Sequence, residues 1–304
     1  MHLDRYGGYT KISTKAAGFF HVEKVEGRWW FIDPDGNVFL SLGLNHIDCN
    51  ALKYPENVHI WKQKYKGDIK TWIKEGVVKD LKSWGFNTIG WTQESVTKDV
   101  RHSPGWRITE YRWAGMPYCH LLKFANLARW NREVHYPDVF SDEFEEWCDF
   151  VARESCVDMA DDPFLIGYFY SDVPGWTGHP WGSSWADNLD LTTDEGRMAL
   201  KEIAQRYYRV LHDSIRRYDK NHLILGDRYD GNRDAPDFIL EVAKETIDVL
   251  SIQYFPQSLS FESMKEKFAK WHKITRKPIL LADTGIIAPT KLAPDRIGLV
   301  KTHA

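Results

Sequence analysis

Short apolar runs alternate with longer amphipathic segments along most of the chain. An apolar run of about four to eight residues is typical of a strand buried in a parallel sheet, whereas apolar positions three and four apart predict a helix. Strands are predicted within residues 38–47, 87–91, 118–124, 164–172, 223–227, 248–254 and 278–283. Helices are predicted in residues 68–84, 142–159, 192–215, 236–244 and 261–274.

This alternation predicts an α/β fold in which helices wrap a parallel sheet, and 304 residues suit one TIM-type (β/α)8 barrel. A β-hairpin in residues 19–38 is expected to lead into the first barrel strand, because its turn reads Asp-Pro-Asp-Gly. Since neither a linker nor a repeat divides the sequence, we predict a single domain over residues 1–304. Residues 286–304 are too few for a helix, an eighth strand and a closing helix, so the C-terminal end is expected to be truncated or atypical.

Composition and charge narrow the class of partner. The formal net charge of −3 disfavours nucleic acid or an anionic membrane. The sequence has no apolar run of about 18 residues and no secretory signal at its start, which predicts a cytoplasmic protein or a mature secreted or periplasmic form. The four cysteines form no CxxC pair and are expected to be reduced core residues. No cofactor is indicated, and the oligomeric state stays open.

Polar residues follow the predicted barrel strands, and the active sites of such barrels lie at the carboxyl ends of their strands. Two aspartates, Asp172 and Asp283, follow the fourth and seventh strands. Asp230 is a reserve carboxylate, and Trp91 is an aromatic residue at the end of the second strand. The residues expected to hold sugar hydroxyls are Asn45, His46, Arg228, Gln253 and Tyr254.

The two aspartates suit glycosidic cleavage, which needs one protonated and one ionised carboxyl group. We predict Asp172 as the general acid and Asp283 as the nucleophile or base. A separation of about 5–5.5 Å between the two carboxyl groups favours retention of configuration, and about 6.5–9.5 Å favours inversion. The alternative for each aspartate is a loop or helix-capping role.

Tryptophan is unusually frequent, with 14 residues in the chain. The long loop after the fourth strand, residues 173–191, contains Trp176, Trp181 and Trp185. Loops of this length in compact domains are commonly functional, and an indole stacks well on the apolar face of a sugar. We therefore predict a wall of sugar-binding platforms, with a local packing cluster as the alternative.

Two segments resemble β-agarases and related enzymes of glycoside hydrolase family 50. Residues 27–46 carry Gly-Arg-Trp-Trp-Phe, Asp-Pro-Asp-Gly and Ser-Leu-Gly-Leu-Asn-His, and residues 162–169 read Asp-Pro-Phe-Leu-Ile-Gly-Tyr-Phe. The resemblance extends loosely over residues 19–285. It implies a barrel, a carbohydrate substrate of galactan or agar type, and a retaining mechanism with one glutamate after strand four and another after strand seven.

The sequence departs from the family pattern at both catalytic positions. Where the family has Asp-Asn-Glu after strand four, this chain has Ser171, Asp172 and Val173, so a valine occupies the position of the acid/base glutamate. Asp283 stands where the family has its nucleophilic glutamate. The shorter side chain withdraws that carboxyl group by about one C–C bond, which matters for positioned chemistry.

Three functions remain open on the sequence. The first is a glycoside hydrolase that uses Asp172 and Asp283, and the second is a catalytically inactive carbohydrate-binding barrel. The third is a metal-dependent hydrolase, although neither His-x-His nor His-Glu-x-x-His occurs and no metal is predicted. The residues that suggest this third function are His46, His179, Asp172, Asp230 and Asp283.

Overall fold

The structure is a computed structural model that describes residues 2–92, 105–128, 134–180, 182–233, 235–256 and 261–285. The chain divides into two compact units. The first comprises Met1–His120 and Ser155–Gly167, and the second comprises Leu121–Glu154 and the described residues from Tyr168 onward.

The first unit contains an antiparallel sheet with strand order β1-β4-β3-β2. Its strands are β1 (Tyr9–Ser13), β2 (His21–Val25), β3 (Arg28–Ile32) and β4 (Asn37–Phe39). Strands β2 and β3 pair from His21 with Ile32 to Val25 with Arg28. In the turn between β3 and β4, Asp33 accepts hydrogen bonds from the backbone N–H groups of Asp35 and Asn37, and Gly36 adopts a φ of +91°.

Two parallel strands follow in the first unit, β5 (Gly43–Leu44) and β6 (Thr88–Ile89). The predicted strand over residues 38–47 is therefore divided, since its beginning belongs to β4 of the antiparallel sheet. The helices between β5 and β6 are a 3₁₀ turn (Asn50–Lys53), α1 (Val58–Tyr65), α2 (Ile69–Thr71), a π-helical segment (Trp72–Val77) and α3 (Val78–Ser83). A side chain at Gly76 would meet the Tyr65 hydroxyl at 2.9 Å, so glycine allows this close packing. Helix α4 (Ile108–Ala114) precedes strand β7 (Tyr118–Leu121).

The remaining elements alternate as predicted. They are α5 (Asp142–Met159), β8 (Leu165–Asp172), α6 (Asp194–Tyr218), β9 (Leu223–Asp230), α7 (Asp237–Ala243), β10 (Leu250–Gln253), α8 (Glu262–Thr275) and β11 (Ile279–Asp283). Every residue of β8 is buried, as expected for a strand that is covered on both faces. Helix α6 begins after Thr193, whose hydroxyl accepts a hydrogen bond from the Gly196 N–H and so caps the helix.

Within the described residues, seven strands form one sheet in chain order from β5 to β11. The pairs β5–β6, β6–β7, β9–β10 and β10–β11 are parallel, which together with the intervening helices gives a TIM-like α/β fold. Residues 286–304, which would close a barrel, lie outside the described residues. No helix among the residues described is both long and apolar enough to span a membrane. Cys49, Cys119, Cys148 and Cys156 are buried free thiols, as predicted.

Two carboxyl groups fix the N-terminal segment to the β3–β4 turn. Asp4 accepts hydrogen bonds from the N–H groups of Tyr6 and Gly8 and from the Asn37 amide, the last at 2.7 Å. Asp33 is fully buried beside Asp4. Burial and the hydrogen bond with Asp4 raise the pKa of Asp33 to about 7.

We expect Asp33 to make stability depend on pH. The folded state raises the pKa of Asp33 from 3.8 to about 7, so protonation of Asp33 stabilises the folded state. This contribution to the free energy of unfolding is complete below pH 3.8 and is lost as the pH rises to about 7. In urea titrations, Asp33→Asn should lose less free energy of unfolding than the parent between pH 5 and pH 8. Asp35→Asn, on the exposed side of the same turn, is the control and should keep the parental pH dependence. An unchanged pH profile in Asp33→Asn would contradict this assignment.

Candidate active site

Arg228 lies between the two predicted aspartates in the second unit. Its Nε and Nη2 atoms are 2.9 and 2.8 Å from Oδ1 of Asp172. Its Nη1 atom is 3.2 Å from Oδ2 of Asp283. The arginine side chain is 2% exposed, and the carboxylates are 8% and 12% exposed. One guanidinium therefore engages both carboxylates in a nearly dry environment. It donates a charge-assisted hydrogen bond from Nε to Asp172, and its contact with Asp283 is an ion pair.

The strand geometry explains how these groups meet. Asp172 ends β8, Arg228 lies near the end of β9, and Asp283 ends β11. The carboxyl ends of parallel strands lie at the same edge of a sheet, which is where the sequence rule placed the site. Arginine suits the central position because its planar fork offers several N–H donors and stays charged when buried.

A third carboxylate, Asp227, lies on the opposite face of β9, since successive strand residues point to opposite faces. Its oxygens accept hydrogen bonds from Ser171 at 2.7 Å, Tyr207 at 3.2 Å and Tyr208 at 2.8 Å. Burial raises the pKa of Asp227 to about 6, while the hydrogen bonds from Ser171 and the two tyrosines oppose that rise. Sequence reasoning placed Asp227 at a strand end but gave it no role. The sequence signal that could have indicated its role was the adjacent pair Tyr207 and Tyr208 on the buried face of the predicted α6 helix.

Val173 follows Asp172 with a φ of +26° and is 2% exposed. Positive φ is an outlier for a β-branched residue, and such strain persists only where the surroundings hold it. The Val173 N–H donates to the Arg228 carbonyl at 2.8 Å, and Pro174 forms a β-bridge with Ala128. Val173 is thus a strained, fully packed residue directly after a strand end.

The tryptophans of the loop after β8 pack mainly on the protein itself. Trp176 is 3% exposed and lies against the rings of Tyr207 and Tyr208. Trp185 lies 5.0 Å from Trp176 between ring centroids, and its indole N–H donates to the Pro137 carbonyl at 2.8 Å. For Trp176 the expectation of an open stacking platform is corrected, because the loop folds back and buries the indole. Trp185 is partly exposed, so a platform role there stays a prediction, and Trp181 lies outside the described residues.

Other predicted binding residues of the second unit have separate surroundings. Asp230 accepts a hydrogen bond from the Asn232 N–H at 3.1 Å, and its carboxylate lies 3.5 Å from Arg233. Gln253 ends β10 and is partly exposed. The Tyr254 hydroxyl is 2.7 Å from the Ser263 hydroxyl, so it points towards α8 and not to Arg228. The role of Tyr254 as a sugar contact stays a prediction.

Three predicted residues lie in the first unit. Asn45 accepts a hydrogen bond from the Trp91 N–H at 3.0 Å, which fixes the end of β5 to the end of β6. His46 adopts a φ of +58°, and Trp91 is 4% exposed. Trp91 is buried among the described residues, and its role at a sugar site stays a prediction. Among the described residues, no group of three or more His, Cys, Asp or Glu side chains could hold a metal ion.

The fold is agarase-like, as the comparison with solved structures shows. Solved structures with this fold include an exo-β-agarase, with a TM-score of 0.71 and 17% identity over 94% of this chain and 56% of that one. The agarase AgWH50C is similar, with a TM-score of 0.68 and 17% identity over 93% of this chain and 52% of that one. The chain thus spans about half the length of these agarases. The resemblance to agarase-like barrels is confirmed at the level of fold.

Sequence comparison gives a shorter match. A segment of 43 residues is 44% identical to β-agarase B of Vibrio sp. (strain JT0107), which covers 14% of this chain and 4% of that protein. No protein-family model matches the chain.

Arg228 is expected to be essential for stability as well as for the site. Arg228→Met would leave two buried carboxylates without their shared cation, and breaking a buried ion pair from one side costs about 3–5 kcal/mol of unfolding free energy. The measurement is urea unfolding at pH 7. Arg217→Met removes an exposed arginine that pairs with Asp149 and should cost less than about 1 kcal/mol. Equal losses in the two variants would refute the buried role of Arg228.

Proposed function

We propose that the chain is a glycoside hydrolase that acts on the O-glycosidic bonds of a galactan-type oligo- or polysaccharide. The observation that carries this proposal is the buried Asp172–Arg228–Asp283 cluster at the carboxyl ends of three strands. Sugar sites of barrels lie at that edge, and carboxylates together with an arginine are groups that hold sugar hydroxyls and act on the anomeric carbon. Agarases among the structures of the same fold support an agar-type substrate.

Asp283 is the better candidate for the nucleophile or base. It is the more exposed of the two aspartates, at 12% against 8%, and its contact with Arg228 is the longer one. A nucleophile must be ionised, and a neighbouring guanidinium is a suitable partner for a negative carboxylate. The sequence resemblance to the agarases supports the same assignment.

The site is less well equipped to protonate the oxygen of the leaving group. Oδ1 of Asp172 already accepts a hydrogen bond from Arg228 Nε and lies 2.8 Å from Nη2, so a proton for the leaving oxygen would have to come from the other oxygen of Asp172. Val173 carries no proton to transfer. We therefore expect substrates with a good leaving group, which need little protonation, to react faster than natural oligosaccharides.

A second candidate function is carbohydrate binding without hydrolysis. Two observations favour it: Val173 stands at the family's acid/base position, and a single guanidinium engages both carboxylates. This protein would bind an oligosaccharide saturably and release no product.

The decisive experiment compares an activated and a natural substrate. Para-nitrophenyl β-D-galactoside and neoagarohexaose are incubated with the parent chain, Asp283→Ala, Asp283→Asn and Asp230→Asn. We expect the parent to release nitrophenol faster than it shortens neoagarohexaose, and both Asp283 variants to lose turnover by orders of magnitude. Asp230→Asn tests the reserve carboxylate, and the assignment of Asp283 requires that this variant lose much less turnover than either Asp283 variant. If Asp283 is the nucleophile, azide should restore nitrophenol release in Asp283→Ala and give a galactosyl azide.

Calorimetric titration with neoagarohexaose separates the two candidate functions. Binding without product from either substrate would support the binding protein and contradict the hydrolase. Neither binding nor product would overturn both.

A further inference from the structure

The hydrogen-bond cluster behind the candidate site is built around Asp227. This carboxylate is 1% exposed, and its three hydroxyl donors are Ser171 on β8 and Tyr207 and Tyr208 on α6. The Tyr208 hydroxyl is also 2.5 Å from the Tyr229 hydroxyl. All three donors are neutral. A buried carboxylate without a cation among its hydrogen-bond donors is costly, and a chain that keeps one needs a compensating reason.

The position of Asp227 suggests that reason. Two neighbouring contacts join β8 to β9. Ser171 contacts Asp227, and the next residue on each strand forms the contact between Asp172 and Arg228. Because side chains alternate across a sheet, the first contact lies on the α6 face and the second on the opposite face. The Val173 N–H adds a backbone hydrogen bond to the Arg228 carbonyl. The ends of β8 and β9 are therefore held together on both faces around the ion pair.

We propose that Asp227 is a positioning residue, which holds Arg228 and Asp172 in their geometry through Ser171 and the two tyrosines without touching substrate. This role deepens the proposed function and rests on it for its effect on sugars. The positioning of Arg228 itself can be measured without any sugar.

Asp227 can change charge in the neutral range, since burial raises its pKa to about 6. The titratable groups that face it are Tyr207 and Tyr208 from α6, Tyr229 from its own strand, and Tyr170 and Asp172 from β8. Burial raises the pKa of each of these tyrosines well above 10, so they stay neutral where Asp227 titrates. The charge of Asp172 raises the pKa of Asp227 further. Arg228 should therefore sense a titration that begins on the opposite face of its strand.

Two serines provide a matched pair of variants. Ser171 and Ser251 are fully buried on the strands that flank β9, and each donates a 2.7 Å hydrogen bond to a β9 residue. Ser171 donates to the Asp227 carboxylate, whereas Ser251 donates to the Leu225 carbonyl. Ser171→Ala and Ser251→Ala should thus lose similar amounts of stability, and only Ser171→Ala should disturb Arg228. Asp227→Asn keeps the shape of the side chain and removes its charge.

The first measurement follows the Nε–H signal of Arg228 by NMR, assigned by its loss in Arg228→Lys. In the parent, hydrogen exchange of this N–H should be slow, and its chemical shift should include a titration step near pH 6. Ser171→Ala should speed exchange by about tenfold or more, the scale on which outer partners of a positioned group act. Asp227→Asn should remove the step near pH 6. Ser251→Ala should match the parent in both respects.

The second measurement uses neoagarohexaose binding and the release of nitrophenol from the aryl galactoside. Ser171→Ala and Asp227→Asn should weaken binding or turnover by about tenfold, while Ser251→Ala stays within about twofold. If the parent neither binds nor cleaves sugar while the NMR differences appear, the proposed function fails and the positioning role stands. If Ser171→Ala and Ser251→Ala give the same Arg228 signal, or if the step near pH 6 survives in Asp227→Asn, the positioning role is wrong.

Discussion

The second unit is organised around one buried cation. Arg228 is 2% exposed and stands between two carboxylates that are almost as deeply buried. An isolated charge at that depth is costly to desolvate, so each of the three groups depends on the other two. The strands that carry them must end at one level of the sheet, and β8, β9 and β11 do so. The geometry of the sheet edge is thus coupled to the neutralisation of charge.

The period of the β-strand gives this edge two chemically different faces. One face carries the ion pairs of Arg228, and the other carries a neutral network of hydroxyl groups around Asp227. The second face packs on α6, where Trp176 and the tyrosines fill the space between helix and sheet. The aromatic residues that the loop contributes therefore support the strand ends from behind. This packing accounts for part of the high tryptophan content without invoking sugar.

The sequence was most informative where a short apolar run forms a parallel strand. Residues 164–172 and 278–283 were predicted as strands, and the structure has Leu165–Asp172, which is fully buried, and Ile279–Asp283, which is partly exposed. The rule failed near the N-terminus, because an apolar run does not specify which of two sheets it joins. Strand β1 was missed because all its residues are exposed and form no apolar run.

The same limits apply to the site. The strand-end rule selected Asp172, Arg228 and Asp283 from the sequence, because the carboxyl ends of parallel strands share an edge. It could not show that one guanidinium would engage both acids, since that depends on side-chain reach across β8, β9 and β11. It also could not show that Trp176 would be buried, because loop packing has no periodic signal.

The strain at Val173 bears on how far the site has diverged from its relatives. A φ of +26° is intrinsically unfavourable for valine, and such a conformation costs on the order of 1–3 kcal/mol. The conformation persists because the backbone N–H is tied to Arg228 and the next residue is bridged to Ala128. The strain therefore belongs to the position rather than to the side chain. A strand end held in this way would aim whatever residue stood at 173, and in this chain that residue is apolar. The proposed function consequently assigns the chemistry of this edge to Asp172 and Asp283, and to the arginine that engages them both.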